Sequence, residues 1–369
     1  YRIAKEGAAL LQTETITVPD GTDPVQAMID ALPDEVTEDN AEAVEQALTD
    51  IDDAKQSLTD DELAGLDFAR YDAAANALLA LWGEAPADAV ELLDTTYEKP
   101  VLGSDNYYQI TNESNLRWFA EAVNGGNSAI NARLTANIKV NDKVFNDDGS
   151  LISDPKTWTP IGVSYSKAFK GTFDGAGYTI SGLYCDMTDR TDIEYVGLFG
   201  RINGGTVTNL GVLDSYFAGN SLVGGVCGKN DGGTIEECYN TGKVTGTSSV
   251  GGVCGENYHD SDSSSIDSTV VGCYNEGEVT GTWTVGGVCG NNYGGTVKGC
   301  HNTKAVNGSS TVGGVCGQNA RNGTVEGCHN EGNVTGTADD GQQVGGVCGY
   351  IESGTVKECH NDGTVTGTM

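Results

Sequence analysis

The sequence predicts a mainly β protein, with a parallel β-solenoid over residues 107–369 preceded by an α-helical bundle over residues 1–98. Three observations predict this fold class. From Val196 to Met369 one pattern recurs six times, and each of the last five copies carries two cysteines. Each copy consists of short β-favouring pieces separated by glycine and asparagine, without apolar residues at helical spacing. The first 98 residues instead carry apolar residues at intervals of three and four within alanine-rich segments.

Residues 1–98 are predicted to form an acidic helical bundle. The segments PVQAMIDAL, DNAEAVEQALTDIDDAKQSL and DFARYDAAANALLALWG have the spacing of amphipathic helices, and Pro33 and Thr37 mark a break and a cap. Residues 1–100 hold 24 Asp and Glu against 5 Lys and Arg, a net charge of −19 out of −33 for the whole chain. Such acidity argues against binding to nucleic acid or to anionic membranes. Residues 99–106 are predicted to be a linker.

Residues 107–195 are predicted to contain a capping helix and the first coils of the solenoid. The segment Ser114–Val123 has a helical apolar pattern, with Ser114 as the predicted N-cap. Segments that alternate apolar residues between glycines follow it, as in GTFDGAGYTISGLY. A helix ahead of the first strand would shield an open sheet edge, and Trp118 and Phe119 would anchor it.

The six copies in residues 196–369 predict stacked coils. The first cysteine column advances by 27, 35, 27 and 32 residues, and the longer steps coincide with polar inserts around Ser263 and at Ala338–Gln343. Inserts that leave the motif intact belong to surface loops, so the unit is about 27 residues long. Equivalent strands then pair in register, and like residues stack about 4.8 Å apart.

Both cysteine columns are predicted to face the core. In the degenerate first copy, Phe199 and Leu210 stand where the other copies have cysteine, so apolar residues replace both columns together. One interpretation is a disulfide within each coil, and the other is a free buried thiol that duplication has copied; the spacing does not decide between them. The within-coil pairs would be Cys227–Cys238, Cys254–Cys273, Cys289–Cys300, Cys316–Cys328 and Cys348–Cys359. Cys185 has no counterpart in the repeats and is predicted to be a lone buried thiol.

No metal site and no cofactor are predicted. A zinc knuckle needs cysteines or histidines at short spacing, and neither pattern occurs among the eleven cysteines and four histidines. The segment NDDGS at Asn146–Ser150 comes nearest to a calcium-binding loop but does not complete the motif. The sequence therefore does not decide whether a calcium site is present.

An outward ladder of rings is predicted to follow the second cysteine column. The position directly after that cysteine accepts Tyr or His, which indicates that its side chain points away from the core. Such a strip could bind sugar rings or a partner surface, or it could be ordinary cross-strand packing on an exposed face. The five residues are Tyr239, Tyr274, His301, His329 and His360. Two asparagine columns, beginning at Asn230 and Asn240, are predicted to be structural.

The sequence resembles a family of bacterial surface proteins. The segments YQITNESNLRWFAEAVNGG, WTPIG and FKGTFDGAGYTISGL and the series VGGVCGxNxGGTVxxCxN are similar to proteins with GLUG-motif repeats, which also occur outside the catalytic part of some IgA-specific metallopeptidases. The resemblance covers residues 107–369. It implies a secreted or wall-attached protein, largely of gut bacteria, with a β-solenoid and an adhesive or display role. It implies no chemistry for this chain, because the HExxH signature is absent.

Two functions from different classes remain. The first is a non-enzymatic surface module for display or adhesion, which would bind a glycan or a host protein. The second is a carbohydrate-active enzyme on a β-helix, which needs two carboxylates facing one groove. The only acidic residues near a plausible groove are Asp174, Asp186, Asp192 and Glu194. The sequence favours the first function, because no set of titratable groups is seen to converge.

The sequence also suggests where the chain works and how it associates. It starts at Tyr1 and shows no signal peptide, transmembrane run or sorting tail, which indicates a mature ectodomain or part of one. We expect an extracellular or cell-wall-attached protein without direct membrane insertion. The final repeat would leave a strand edge uncovered, which predicts a monomer with weak end-to-end association.

Overall fold

The computed structural model describes most of the chain from residue 97 onward and a few residues before it. The described residues are 24–33, 36, 37, 40, 43, 44, 47, 51, 70, 74, 97–190, 193–259, 267–337 and 343–367. The chain divides into two compact units, Tyr1–Thr95 and Thr96–Met369.

In the first unit the structure gives bounds for helix α1 (Pro24–Asp30), which coincides with the first predicted helical segment. It buries Val25, Ala27 and Ile29. The predicted bundle over residues 1–98 is not supported by the described residues, which show helix only in α1 and at positions 43, 44, 47, 51, 70 and 74. Most of the two further predicted segments lies outside the described residues.

The second unit begins with a helix and seven short strands. Its helix is α2 (Glu113–Asn124). The strands are β1 (Val101–Leu102), β2 (Tyr107–Ile110), β3 (Asn131–Leu134), β4 (Ile138–Lys139), β5 (Thr172–Asp174), β6 (Thr179–Ser181) and β7 (Tyr184–Asp186).

The repeats contribute the remaining strands, most of them two to five residues long. The first group is β8 (Phe199–Asn203), β9 (Thr206–Thr208), β10 (Gly211–Leu213), β11 (Tyr216–Gly224), β12 (Cys227–Asp231), β13 (Thr234–Glu236), β14 (Tyr239–Asn240), β15 (Lys243–Gly251), β16 (Cys254–Tyr258), β17 (Thr269–Val271), β18 (Tyr274–Asn275), β19 (Val279–Thr280), β20 (Val285–Gly286) and β21 (Cys289–Tyr293). The second group is β22 (Thr296–Lys298), β23 (His301–Asn302), β24 (Val306–Gly308), β25 (Thr311–Gly313), β26 (Cys316–Ala320), β27 (Thr324–Glu326), β28 (His329–Asn330), β29 (Val334–Gly336), β30 (Gln343–Gly345), β31 (Cys348–Ile351), β32 (Thr355–Lys357), β33 (His360–Asn361) and β34 (Val365–Gly367).

These strands form four sheets that run along the solenoid. Sheet A joins β1, β2, β3, β5, β9, β13, β17, β22, β27 and β32, and sheet B joins β4, β6, β10, β14, β18, β23, β28 and β33. Sheet C joins β7, β11, β15, β19, β20, β24, β25, β29, β30 and β34, and sheet D joins β8, β12, β16, β21, β26 and β31. Every pair of named strands is parallel except β1 with β2. The predicted parallel β-solenoid is confirmed.

Each coil passes through the sheets in the order D, A, B, C. One coil runs from β12 through β13 and β14 to β15, and the next begins with β16 directly above β12. Sheet A contains nine parallel strands from β2 to β32, so the described solenoid has about nine turns. Residues that recur once per coil therefore lie directly above one another on the same sheet.

Helix α2 closes one end of the solenoid core. Leu116, Phe119 and Val123 are fully buried, and the Phe119 ring packs 5.6 Å from that of Phe173, centroid to centroid. The predicted helix is confirmed, but its N-cap is Asn112, whose side chain accepts a hydrogen bond from the Asn115 backbone amide at 2.9 Å.

The predicted cap Ser114 lies within the first turn of α2. Its hydroxyl oxygen accepts a hydrogen bond from the backbone amide of Glu98 at 2.7 Å, which leaves the capping role to Asn112. Trp118 is only partly buried, with its ring 5.1 Å from that of Tyr108. Phe119 is therefore the main apolar anchor of the helix.

Two buried asparagine ladders hold the coils together. In sheet B the side-chain amide of Asn240 donates to Asn275 at 3.0 Å, Asn275 donates to Asn302 at 2.8 Å, and the ladder continues through Asn330 to Asn361. The sheet D ladder runs from Asn230 through Asn257 and Asn292 to Asn319 at 2.8 to 2.9 Å. In the last described coil Ile351 pairs with Asn319, which ends this ladder. The predicted structural role of the asparagines is confirmed.

The cysteine columns line the core as free thiols. Cys227 pairs in register with Phe199 on one side and with Cys254 on the other. The thiol of Cys254 lies against those of Cys227 and Cys289 in the adjacent coils, so the thiols contact along a column. All eleven cysteines are free, and the predicted lone thiol of Cys185 is fully buried.

The five within-coil disulfides are not formed in this structure. The first column lies on sheet D, whereas the second lies at the entrance to sheet B, on the far side of the intervening strand of sheet A. Burial raises the pKa of the thiols of Cys227, Cys273 and Cys300, which keeps them protonated and poorly reactive. The pairing state in solution stays a prediction that a thiol count decides.

We expect eight of the ten column cysteines to resist a thiol reagent in the native protein. Cys348 and Cys359 in the last described coil are only half-buried and should react first. In denaturant without reductant, all eleven thiols should react if the cysteines are free. A count of one would mean that five bridges had consumed the other ten, and rapid native labelling of three or more buried sites would contradict the inward assignment.

Candidate functional site

The predicted ring ladder exists on sheet B. Tyr239, Tyr274, His301, His329 and His360 pair in register, one from each coil. The rings of Tyr239 and Tyr274 stack with centroids 4.6 Å apart and planes 4° apart, and those of Tyr274 and His301 with centroids 4.9 Å apart and planes 8° apart. The next residue of each strand, for example Asn240, is fully buried, which directs the rings outward.

The stacked rings present their edges to solvent. The Tyr274 ring has both faces covered, by Tyr239 on one side and His301 on the other, and Tyr239 covers Gly211 of the preceding coil, where a side chain would collide with the tyrosine ring. Burial raises the pKa of the Tyr274 phenol. A ligand beside the tyrosine end of the ladder would therefore meet hydroxyl groups and ring edges, and stacking of a sugar on either face of Tyr274 is sterically blocked.

A groove of about 460 Å³ runs beside the tyrosine end of the ladder. One wall is the segment from Asp142 to Gly149, and the other is formed by the ends of the sheet B strands and the starts of the sheet C strands. Eight of its twelve lining residues are polar or charged, and they carry charges of both signs. The charged residues that line it are Asp142, Lys143, Asp214, Lys243, Glu276 and Glu278.

An aromatic cluster supports this groove. The Phe145 ring lies edge-on to Tyr216 at 5.9 Å, and Tyr216 stacks on Tyr184 at 5.7 Å. Lys243 lies directly above Tyr216 in sheet C, and its amine is 3.9 Å from the Glu278 carboxylate. The groove thus combines one partly buried aromatic residue with carboxylates and ammonium groups that can hydrogen-bond hydroxyl-rich ligands.

Sequence reasoning missed a second aromatic contact, on sheet D. Tyr258 stacks on Tyr293 at 5.2 Å, and the Lys229 amine lies 4.1 Å from the Tyr258 ring centroid and 2.7 Å from the Glu256 carboxylate. The signal was a tyrosine directly after the buried asparagine in both copies, as in ENY and NNY.

A cluster of two histidines and one carboxylate lies at the other end of the ladder. The Nε2 atom of His329 is 3.0 Å from Asp362 Oδ2, and that of His360 is 2.7 Å from Asp362 Oδ1. These hydrogen bonds hold the pKa of Asp362 below its ordinary value. The His329 and His360 rings are 5.3 Å apart and tilted by 44°. The sequence signal was an acidic residue two positions after a ladder histidine, which places both side chains on one face.

Asp174 and Asp186, two acidic residues of the enzyme hypothesis, lie on different sheets of the described structure. Asp174 lies on sheet A and pairs with Arg133 at 2.9 Å, whereas Asp186 lies on sheet C and accepts a hydrogen bond from the Thr188 hydroxyl at 2.7 Å. Glu194 is exposed, and Asp192 lies outside the described residues.

The segment Asn146–Ser150 forms a turn whose polar groups are paired with one another. Asp148 Oδ1 accepts hydrogen bonds from both the amide and the hydroxyl of Ser150, at 2.9 and 2.6 Å. The Asn146 side chain donates to the Ser150 hydroxyl at 3.1 Å.

Among the described parts of the chain, no helix combines the length and apolarity needed to cross a membrane.

Comparisons with known proteins agree with the repeat architecture. The GLUG motif matches residues 219–245, 308–335 and 340–366. Halomucin of Haloquadratum walsbyi is 34% identical over 99 residues, which is 26% of this chain and 1% of that protein. A candidate Gly-rich membrane protein of Evansella cellulosilytica is 39% identical over 79 residues, which is 20% of this chain and 9% of that protein. The chain thus spans only a small part of the curated relatives that it matches.

The solved structures that resemble this chain include two connected with IgA1 proteases. The first is a candidate immunoglobulin A1 protease from Bacteroides ovatus, with a TM-score of 0.56 and 20% identity over 74% of this chain and 87% of that one. The second is an IgA1 protease, with a TM-score of 0.38 and 19% identity over 74% of this chain and 21% of that one. The chain carries GLUG motif repeats, which confirms the resemblance read from its sequence, and it shares its fold with the Bacteroides ovatus structure.

Proposed function

We propose that this chain is a non-enzymatic module of a bacterial surface or secreted protein and that it binds a hydroxyl-rich glycan. The observation that supports this most is the groove of about 460 Å³ between the Asp142–Gly149 segment and the turns that join sheet B to sheet C. Its paired carboxylate and ammonium groups suit the neighbouring hydroxyls of a sugar, because a carboxylate accepts two hydrogen bonds and an ammonium donates up to three.

The repeat architecture supports a display role. Nine turns of parallel strands make a continuous repetitive scaffold, and the large excess of acidic residues favours solubility in a crowded extracellular space. The GLUG repeats and the names of the relatives, a halomucin and a Gly-rich membrane protein, support a location at or outside the cell surface. We propose no nucleic-acid partner, no direct membrane insertion, and a monomer that associates weakly end to end.

A glycan array with the full chain, followed by calorimetry with the best ligand, tests this function. We expect Glu276→Gln with Glu278→Gln to weaken binding at least tenfold, because each substitution replaces one acceptor oxygen of the groove by a donor. Glu326→Gln is the matched control, since Glu326 lies on sheet A and pairs with Lys298 and Lys357 away from the groove.

Three outcomes would count against the proposal. The first is the absence of any glycan ligand, and the second is equal loss of binding in the groove variant and in Glu326→Gln. The third is release of reducing ends from the bound glycan, which would favour the enzyme alternative. Serine at all five ladder positions should lower the melting temperature, because the rings of Tyr239, Tyr274 and His301 support one another by stacking.

A further inference from the structure

The histidine end of the ladder brings three metal-ligating side chains together from two adjacent coils. The ligand atoms of His329, His360 and Asp362 all lie within 4.8 Å of one another. All three side chains reach solvent, with exposed fractions of 36%, 68% and 58%. This cluster lies on sheet B, separate from the groove, whose lining it does not share.

We propose that His329, His360 and Asp362 bind a Zn²⁺ ion, with two imidazoles and one carboxylate as protein ligands and water in the fourth position. Three protein ligands drawn from His and Asp, with one open position, are a donor set that Zn²⁺ accepts. Imidazole nitrogen selects Zn²⁺ and similar transition ions over Ca²⁺ and Mg²⁺, which prefer oxygen ligands.

The observed spacing fits a tetrahedral ion after small side-chain rotations. Zinc bonds of about 2.0 to 2.1 Å place ligand atoms about 3.3 Å apart around a tetrahedron. Both histidines already direct Nε2 at the same carboxylate, at 3.0 and 2.7 Å. The ion would enter among these three atoms and would replace the hydrogen bonds that now join them.

A second carboxylate is placed to orient one of the ligands. The Nδ1 atom of His329 lies 3.9 Å from Glu331 Oε1, on the side of the ring away from the cluster. A metal-bound histidine commonly donates its other ring N–H to a carboxylate, which fixes the tautomer and the ring orientation. Glu331 is therefore a positioning residue, not a ligand.

The other coils of the same ladder lack this combination. His301 has Thr303 two positions later, and the earlier ladder positions hold Tyr239 and Tyr274. The column two positions after the ladder carries an acid beside a histidine only at Glu331 and Asp362. The site therefore belongs to the last two described coils. His301 is a control position, because it is a ladder histidine without an acidic residue two positions later.

Calorimetric titration of the reduced full chain with ZnCl₂ tests the proposal. We expect one equivalent to bind in the wild type, with at least tenfold weaker binding in His360→Tyr and in Asp362→Asn. Tyrosine is the natural occupant of this ladder position in earlier coils, so His360→Tyr keeps an aromatic ring there while removing the ligand. His301→Tyr, at the equivalent position one coil before His329, should keep the wild-type affinity within about twofold.

Cobalt distinguishes this site from the cysteines. Co²⁺ bound by nitrogen and oxygen shows weak visible bands alone, whereas thiolate coordination adds an intense charge-transfer band in the near ultraviolet. We expect the visible bands alone, and we expect them to disappear in Asp362→Asn. A thiolate band, equal weakening in His301→Tyr and His360→Tyr, or no binding below 1 mM Zn²⁺ would overturn the proposal.

Discussion

Replacement of Gly313 by alanine is expected to destabilise the C-terminal coils by about 3 kcal/mol or more. Gly313 ends β25, where the chain turns from sheet C toward sheet D. A methyl group there would overlap the backbone carbonyl of Cys316 and lie 2.7 Å from the backbone nitrogen of Gly349 in the next coil. Both obstacles are backbone atoms, so relief requires the coils themselves to shift.

Urea unfolding followed by circular dichroism, together with hydrogen exchange, measures this effect. Solenoid coils are stabilised by their nearest neighbours, so exchange should accelerate in the coils around Gly313 more than near α2. Gly327→Ala is the matched control: Gly327 has a φ of +62° but no atom within 4 Å of an added methyl group. The control should cost about 1 kcal/mol, the usual penalty for an L-residue in the left-handed region. Equal destabilisation by the two substitutions would contradict the steric explanation.

The sequence predicted the ladders because a residue that recurs once per coil must stack on its own copies. Phe199 is aligned with Cys227 in the sequence frame, and the two pair in register in the structure. The same reasoning identified the asparagines as structural, since polar residues such as Asn240 and Asn275 are tolerated in the core when stacked copies hydrogen-bond each other.

Features that depend on local conformation were harder to predict. Asn112 and Ser114 are both good helix caps, and the outcome depended on which side chain reached a free backbone amide. The backbone conformation of the position before the second cysteine was not predicted either. Glu237, Gly272 and Gly327 all adopt a positive φ there. A column that mixes glutamate with glycine does not reveal that conformation.

In the candidate sites, too, the sequence predicted which residues stack but not their local geometry. The members of the ring ladder were predicted from the sequence, but the direction of the ring faces was not, because in-register parallel pairing stacks Tyr239 against Tyr274 and leaves only ring edges exposed. The histidine cluster could not be predicted from ligands at short spacing along the chain. His329 and Asp362 are 33 residues apart, and it is the coil repeat that brings them together.

Replacement of Asn275 by leucine is expected to cost on the order of 4 kcal/mol, because it leaves several buried groups without partners. The Asn275 side chain is fully buried. Its oxygen accepts from the Asn240 amide and the Gly277 backbone amide at 3.0 and 3.2 Å, and its amide donates to the Gly277 carbonyl and to Asn302 at 2.7 and 2.8 Å. Leucine has a similar volume but can make none of these bonds.

The matched control is Asn307→Leu, in the same region of the solenoid. Asn307 is half-buried on sheet C, where the adjacent coils carry Thr280 and Thr335, so the position tolerates different side chains. We expect a change within about 0.5 kcal/mol there. Urea unfolding of both variants measures the difference, and hydrogen exchange should show the largest loss of protection in the coils that contain Asn240 and Asn302. If Asn275→Leu were as stable as Asn307→Leu, the amide ladder would contribute nothing beyond the burial of its side chains, and stacking of the coils would have to be attributed to the valine and cysteine core alone.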